Sequence, residues 1–341
     1  MSLPVEVTLT GIHSRSEETV RISRDFDRAR ATKEALDEAF EEDAANLVKL
    51  ELEAGVTRIS DGQLKWQDFL RPFSESIEGL KSGADLSRWF DTNSFYRKPF
   101  VVKNLKLPKE DSPFLERYEV TSALDLVNGH SKQQQSRKKK ISIPGPYTLA
   151  SLVEDGKYDS RKDLVWDFAK VLRKTLDSLA TLGFESVQIN EPSLVYRYGK
   201  SAVNSKKELK SFISAFEKHL SSPPVELYLH TYFGDCSEML EDLLELDGVA
   251  AVGIDFTQTS LDSIEDCDFG EKYLACGCVD GRNSLVESPE WIANFVREAV
   301  RTLKPAGLVL LPSSELKYLP RTFADEKIRA MGRAASIIRA E

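Results

Sequence analysis

The stretch Phe184-Glu-Ser-Val-Gln-Ile-Asn-Glu-Pro192 decides how this chain is read. Val187 and Ile189 form a short β-branched run that stops in a polar triplet, Asn190-Glu191-Pro192, which no buried strand carries without a use for it. The pattern predicts a strand that delivers an amide and a carboxylate to its C-terminal end, where parallel α/β proteins hold their ligands. The plainer reading is a strand closed by a polar turn, with Pro192 as its stop.

Outward from that stretch, strand and helix signals alternate. On its N-terminal side, Val5–Gly11 reads as a strand opening into the polar loop His13-Ser-Arg-Ser16. A helix over about 25–54 follows, stopped by Gly55, and then a strand at Thr57–Gly62. Residues 64–137 lose periodicity, are rich in aromatics such as Trp66, Phe69, Trp89 and Phe90, and are broken by Pro72, Pro99, Pro108 and Pro113. This reads as an insertion after the second strand, with Lys98–Leu105 as one arm of an extended pair, folded over the mouth of the domain. Lys138–Pro146 resumes the alternation, with a helix at 161–182 before the opening strand. Beyond it come a helix near 205–220, Val225–Thr231, a helix near 236–246, Val249–Phe256 and Lys272–Cys278. A helix at 289–303, Gly307–Leu311 and a last helix at 322–340 complete the series. Eight strand candidates alternating with helices predict a (β/α)8 barrel, a TIM barrel, spanning residues 1–341 as a single domain.

Composition sets the class. With 41% hydrophobic and 30% charged residues the chain has the make-up of a globular protein with a sizeable core. A net charge of −9 argues against nucleic acid as the main partner. No apolar run approaches a membrane span, and the N-terminus lacks the order of a signal peptide, so a cytoplasmic location is expected. The four cysteines, Cys236, Cys267, Cys276 and Cys278, are too few and too clustered for a disulfide framework.

Each predicted strand ends in polar residues, and in a barrel those ends converge. The candidate set is His13 and Arg15, Asp61 and Gln63, Asn190 and Glu191, His230, Asp255, Cys276 and Cys278, then Ser313, Ser314 and Lys317. Imidazole, carboxylate and thiolate together suggest zinc, yet no two of them have ligand spacing of the Cys-x-x-Cys kind. A packed strand-end histidine is the ordinary reading of His230 taken alone.

Several of these segments resemble one family. His230-Thr-Tyr-Phe-Gly-Asp235, Gln188-Ile-Asn-Glu-Pro-Ser-Leu194, Arg88-Trp-Phe-Asp-Thr-Asn93, Ile143-Pro-Gly-Pro-Tyr-Thr148, Val279-Asp-Gly-Arg-Asn283 and Leu311-Pro-Ser-Ser-Glu-Leu-Lys317 occur in the order seen in cobalamin-independent methionine synthase. The resemblance implies a barrel of the uroporphyrinogen decarboxylase-like kind. It also implies methionine biosynthesis within one-carbon metabolism, in which a zinc-bound homocysteine thiolate takes the methyl group of 5-methyltetrahydrofolate. It places His230 and Asp255 at metal-ligand positions, with Asn190 and Glu191 beside them as catalytic candidates. It also puts Tyr232 and Ser314 where cysteine ligands belong, Gln63 where a glutamate grips the substrate amine, and Asn190 where an aspartate belongs. A phenol or hydroxyl binds zinc far more weakly than a thiolate, since it must lose a proton with a pKa of about 10 or higher.

The same pattern resembles the family's N-terminal barrel more than its catalytic one. That barrel lacks the metal and helps to hold the anionic tail of folate, a task open here to Arg15, Arg97, Lys98, Lys103 and Lys106, with Asp61, Gln63, Tyr232 and Ser314 as further ligand contacts. The run Arg137-Lys-Lys-Lys140 reads as a solvated charged loop. Three functions stay open: an N-terminal-type partner of a separate catalytic barrel, a methyltransferase in which Cys276 and Cys278 replace the missing zinc ligands, and a non-catalytic binding module for folate-like anions. Zinc is doubtful as a cofactor; the expected partners are a folate-like or thiol small molecule and that catalytic barrel, with no nucleic acid and no membrane.

Overall fold

Eight parallel strands follow one another around a ring in the computed structural model, which describes residues 3–107, 137–196 and 202–340. They are β1 Val5–Val7, β2 Arg58–Ile59, β3 Lys138–Pro144, β4 Ser186–Asn190, β5 Glu226–His230, β6 Val249–Asp255, β7 Tyr273–Val279 and β8 Gly307–Pro312. From β2 to β8 each pairs with the next in sequence, and β1 pairs with β8. A bridge between Thr8 and Arg58 brings β1 against β2, so the sheet meets itself as the α/β barrel the alternation predicts.

Alternation along the strands sorts side chains into two layers. Leu227, Leu229, Val252, Ile254, Leu274, Cys276, Leu308 and Leu310 join the large cluster shared with the helices. Tyr228, Ala251, Ala275, Val309 and Leu311 form a small separate cluster inside the ring. The rest of the interior is polar: Thr8, Thr10, Lys140, Ser142, Gln188 and His230 are all buried.

Where one helix was expected over 25–54 there are two, Glu17–Asp27 and Lys33–Ala54. Ser16 caps the first by accepting from Thr19 N, and Thr32 caps the second by accepting from Ala35 N. Ala29 between them holds a φ of 55°, a left-handed turn that a continuous helix does not contain. Gly55, at φ 77°, ends the second as its position predicts. The helix expected near 236–246 is a 3-10 turn, Ser237–Met239, followed by the short helix Leu240–Leu244.

In the insertion, Phe100–Lys106 pairs antiparallel with Glu78–Lys81, and Phe95–Arg97 pairs antiparallel with Leu86–Arg88. The loop between the latter two carries Trp89 and Phe90 onto the barrel mouth, where Phe90 packs 5.4 Å from Phe233 and Trp89 stacks 6.1 Å from Phe69. Residues 108–136 of the expected insertion, with Pro108 and Pro113, lie outside the described residues.

The opposite end of the barrel is closed by charge. Arg58 makes two hydrogen bonds to Glu6, at 2.9 and 2.7 Å, and one to Glu226 at 2.9 Å, while Tyr228 donates to Glu6 at 2.7 Å. Lys138, expected in a solvated loop, also reaches Glu226 at 2.9 Å. Arg58 is nearly inaccessible, so its removal leaves Glu6 without its buried cation beside Glu226, which keeps only the half-buried Lys138. Arg58→Met is expected to lower the unfolding free energy by about 3–5 kcal/mol in urea titrations; an unchanged midpoint would show that this floor is dispensable.

Candidate functional site

The mouth is built from the loops after each strand, and most of the predicted polar residues there turn out to hold the frame. Glu191 is the clearest case. Its carboxylate accepts from Tyr147 N at 2.9 Å, Thr148 N at 2.7 Å and Thr148 Oγ1 at 2.6 Å, capping the helix Pro146–Leu152. It lies fully buried over Gly145, and burial pushes its carboxyl up to about 8. Both of its oxygens are engaged by the frame.

Asn190 donates to the carbonyl of Thr10 at 2.9 Å and accepts from Gln188 Nε2 at 2.7 Å. Gln63 pairs with Ser142 as one peptide pairs with another, donating to its carbonyl at 2.9 Å and accepting from its N–H at 3.1 Å. Asp61 accepts from Gln63 N at 2.8 Å and shapes that turn. The three residues tie the rims of β1, β2, β3 and β4 together.

His230 lies across the barrel. Its Nε2 meets the Ser313 carbonyl at 3.0 Å and therefore carries the proton. Its Nδ1 abuts Gly253, where any Cβ would come within 2.1 Å. Burial lowers its pKa to about 4, so the ring is neutral at ordinary pH. Asp255 accepts from Phe233 N at 3.1 Å on one oxygen and from Thr257 N and Oγ1 at 2.9 and 2.6 Å on the other, linking the loops after β5 and β6. Burial raises its pKa to about 6.

Cys276 and Cys278 face away from this centre. Their neighbours Ala275 and Gly277 take the interior positions of β7, with Gly277 beside the His230 ring, and both thiols pack in the helix-facing layer. They do not reach His230, and the reading that makes them substitute ligands is corrected on that ground.

Zinc does not fit this donor set. A tetrahedral site needs imidazole, carboxylate or thiolate lone pairs aimed at one point. Here one His230 nitrogen holds its proton on a carbonyl, both Asp255 oxygens are taken up by loop donors, and the remaining positions present the neutral hydroxyls of Tyr232 and Ser314. Among the described residues no three His, Cys, Asp or Glu side chains are grouped to hold a metal ion.

The predicted cations are also dispersed. Arg15 donates to the carbonyls of Leu64 and Trp66 at 2.8 and 3.1 Å and lies over the Phe40 ring, bracing the loop after β2. Lys98 pairs with Glu154 at 3.7 Å and Lys103 with Glu78 at 3.1 Å, so each is already matched by a carboxylate. An open cleft of about 790 Å³ beside the mouth gathers a different set: His13, Arg15, Arg24, Lys317 and Arg321, with Glu17 as the acidic member. Arg321 is paired with Asp43 at 2.5 Å and Asp325 at 2.7 Å, and His13 meets Asp325 at 3.0 Å. Arg24 and Lys317 make no ion pair among the described residues; the Lys317 ammonium rests over Phe69, Trp89 and Tyr318.

Sequence reasoning misses two residues at the centre of the mouth. Glu315 is fully buried beyond β8, and Trp89 is buried in the insertion loop. Glu315 lies inside the Leu311–Lys317 motif, three residues past the end of β8, where the neighbouring serines are the more obvious candidates.

The sequence model for the N-terminal domain of cobalamin-independent synthase matches residues 79–304. The methionine synthase of Sulfolobus acidocaldarius is 26% identical over 339 residues, covering 98% of this chain and 92% of that protein. The methionine synthase of Saccharolobus solfataricus is 25% identical over 339 residues, covering 98% and 95%. Among solved structures, a B12-independent methionine synthase from Shewanella sp. W3-18-1, in complex with selenomethionine, superposes with a TM-score of 0.75 at 18% identity, covering 99% of this chain and 98% of that one. A putative vitamin-B12-independent methionine synthase from Listeria monocytogenes gives 0.72 at 14% identity, covering 99% of each. At such identities the superpositions speak for the barrel fold.

Two substitutions test the structural roles of Glu191 and His230. Glu191→Ala should cost about 2–4 kcal/mol, because it strands buried N–H and O–H donors, read as a lowered denaturation midpoint. His230 should make stability fall in acid. Its folded pKa lies below the ordinary 6.5, so the stability it confers is complete above pH 6.5 and is lost as pH falls toward 4. His230→Gln should remove a part of that loss on the order of 3 kcal/mol, measured as the difference between urea midpoints at pH 4.5 and pH 7.

Proposed function

The chain belongs to the cobalamin-independent methionine synthase family, and we propose that it acts in that chemistry as a metal-free, N-terminal-type barrel. It holds the anionic part of a folate-like methyl donor while a separate catalytic barrel carries the thiol substrate, homocysteine in this family. The setting is cytoplasmic one-carbon metabolism leading to methionine.

One observation carries the reading: the side chains at the family's zinc positions are committed to carbonyls and loop amides or are neutral hydroxyls, while a cationic cleft stands open beside them. Frame and anion-binding surface are kept without the metal donors. The cations that support it are Arg24 and Lys317 together with the ion-paired Arg321, in place of Lys98 and Lys103. An oligoglutamate tail presents several carboxylates in a row, which suits guanidinium and ammonium groups spaced along a groove. The same residues also serve a non-catalytic folate-binding module, and the requirement for a second chain separates the two.

Calorimetric titration of the purified protein with a folate polyglutamate should show binding that weakens about tenfold or more in the double variant Arg24→Ala, Lys317→Ala. Methyl transfer should appear only when a catalytic barrel is added. One equivalent of tightly held zinc together with methyl transfer by this chain alone would overturn the proposal.

A further inference from the structure

A second cavity, of about 590 Å³, opens on the helical wall of the barrel and shares no lining residue with the cleft beside the mouth. It lies between the strand Phe100–Lys106 and the helices Arg161–Thr181 and Ala202–Leu220. Lys106 comes from the strand, Lys170, Arg173 and Lys174 from the first helix and His219 from the last turn of the second, so basic side chains from three elements border one space. Asp167 is the acid among the described lining residues, and it is already engaged: Tyr158 Oη donates to one oxygen at 2.7 Å and Lys170 to the other at 2.7 Å. Arg173 pairs with Asp177 at 3.2 Å. Lys106 and Lys174 make no ion pair among the described residues, and His219 Nε2 is shut off from solvent without a hydrogen-bond partner.

The space is preformed. Tyr158 Oη accepts from Leu105 N at 3.0 Å while donating to Asp167, so one hydroxyl pins the end of the strand to the helix. The His219 ring is held edge-on to Trp166, with centroids 5.0 Å apart. Lys170 and Lys174 stand four residues apart on one helix face, a spacing at which like charges repel. Burial, then the charges of Lys170 and Lys218, keeps the His219 pKa below its ordinary value, with Asp167 opposing them. A bound anion relieves all of this together. Leu105, Leu107 and Val171 add an apolar wall, and the volume falls within the range of about 300–1,000 Å³ usual for small-molecule sites.

We propose that this cleft binds a phosphate group, free or carried on a small organic molecule, with Lys106, Lys174 and His219 as its donors. A phosphate monoester presents three acceptor oxygens and a charge of about −2, which matches two unpaired ammonium groups and an imidazole. Leu105, Leu107 and Val171 face the organic part. Lys106, expected among the cations that hold folate, belongs to this cleft instead. The site uses no residue of the barrel mouth, so it stands whether or not the cleft there takes folate.

The experiment follows the histidine rings of the full chain by NMR through a pH titration, with the His219 signal assigned from His219→Gln. Inorganic phosphate, glycerol phosphate and adenosine monophosphate are added in turn at constant ionic strength. At least one of them should raise the pKa of His219 by about one unit and leave His13 and His230 unmoved, while glycerol, adenosine and sodium chloride leave His219 where it is. The double variant Lys106→Ala, Lys174→Ala changes two exposed side chains. It should abolish the rise and weaken calorimetric binding about tenfold or more, whereas Arg24→Ala, Lys317→Ala should do neither. Tighter binding of an ester than of inorganic phosphate supports an organic phosphate, and equal binding supports the free ion. The proposal is overturned if no phosphate moves His219, if sodium chloride or a folate polyglutamate moves it as far, or if the Lys106, Lys174 variant binds as the native chain does. The His219 titration is read on the native chain and decides even where a variant fails to fold.

Discussion

The rim of this barrel is held by side chains reaching for backbone carbonyls that no strand satisfies. β1 ends at Val7 and β2 has two residues, so the chain from Thr8 to His13 enters the mouth with little ladder to hold it. Its carbonyls must find other donors, because buried backbone groups left unpaired are costly. Lys140 donates to Leu9, both Gln188 and Asn190 donate to Thr10, and the Thr10 hydroxyl turns to Pro312. These bonds come from β3, β4 and β8, so the first loop is fixed from three sides. Lys140 is wholly inside, and burial pulls its pKa down to about 7. The three basic residues before it make the whole run look like a solvated loop, and only the alternation of β3 separates Lys140 from them.

This constraint explains why so little of the mouth is free for chemistry. A parallel barrel gathers polar residues at its C-terminal rim whether the task there is catalysis or closure. Here closure takes most of them: Glu191 caps a helix, Asp255 joins two loops, and His230 bridges β5 to β8 across Gly253 and Gly277. The two glycines are part of one arrangement, since a side chain at 253 would overlap the ring.

The fold was legible because β-branched runs and helix caps carry it locally. The strand expected at Val225–Thr231 is observed at Glu226–His230, and that expected at Gly307–Leu311 at Gly307–Pro312. The unexpected helix break is also written locally, in the capping positions of Ser16 and Thr32. The site was less legible because its meaning lies in register. That Cys276 and Cys278 share a face follows from their spacing; which face they share depends on where His230 falls against β6 and β7. Glu191 becomes a cap only because Pro144 pairs with Asn190 and sets Gly145 beneath its carboxylate. Glu315 escapes sequence reasoning for the same reason: no local pattern says that a charged residue beyond β8 turns inward.

The two amides at the rim show how the frame and the missing chemistry belong together. Gln63 both donates to and accepts from the Ser142 peptide, a double contact that a carboxylate, being acceptor only when ionised, cannot make. Asn190 likewise presents an N–H to the Thr10 carbonyl, where an ionised aspartate would set two acceptors against each other. At both positions the family resemblance leads one to expect a carboxylate, at 63 one that grips the substrate amine, and at both the amide ties the side chain into the wall. Each change removes a negative charge from the mouth and adds a tie between strands whose own ladder is short.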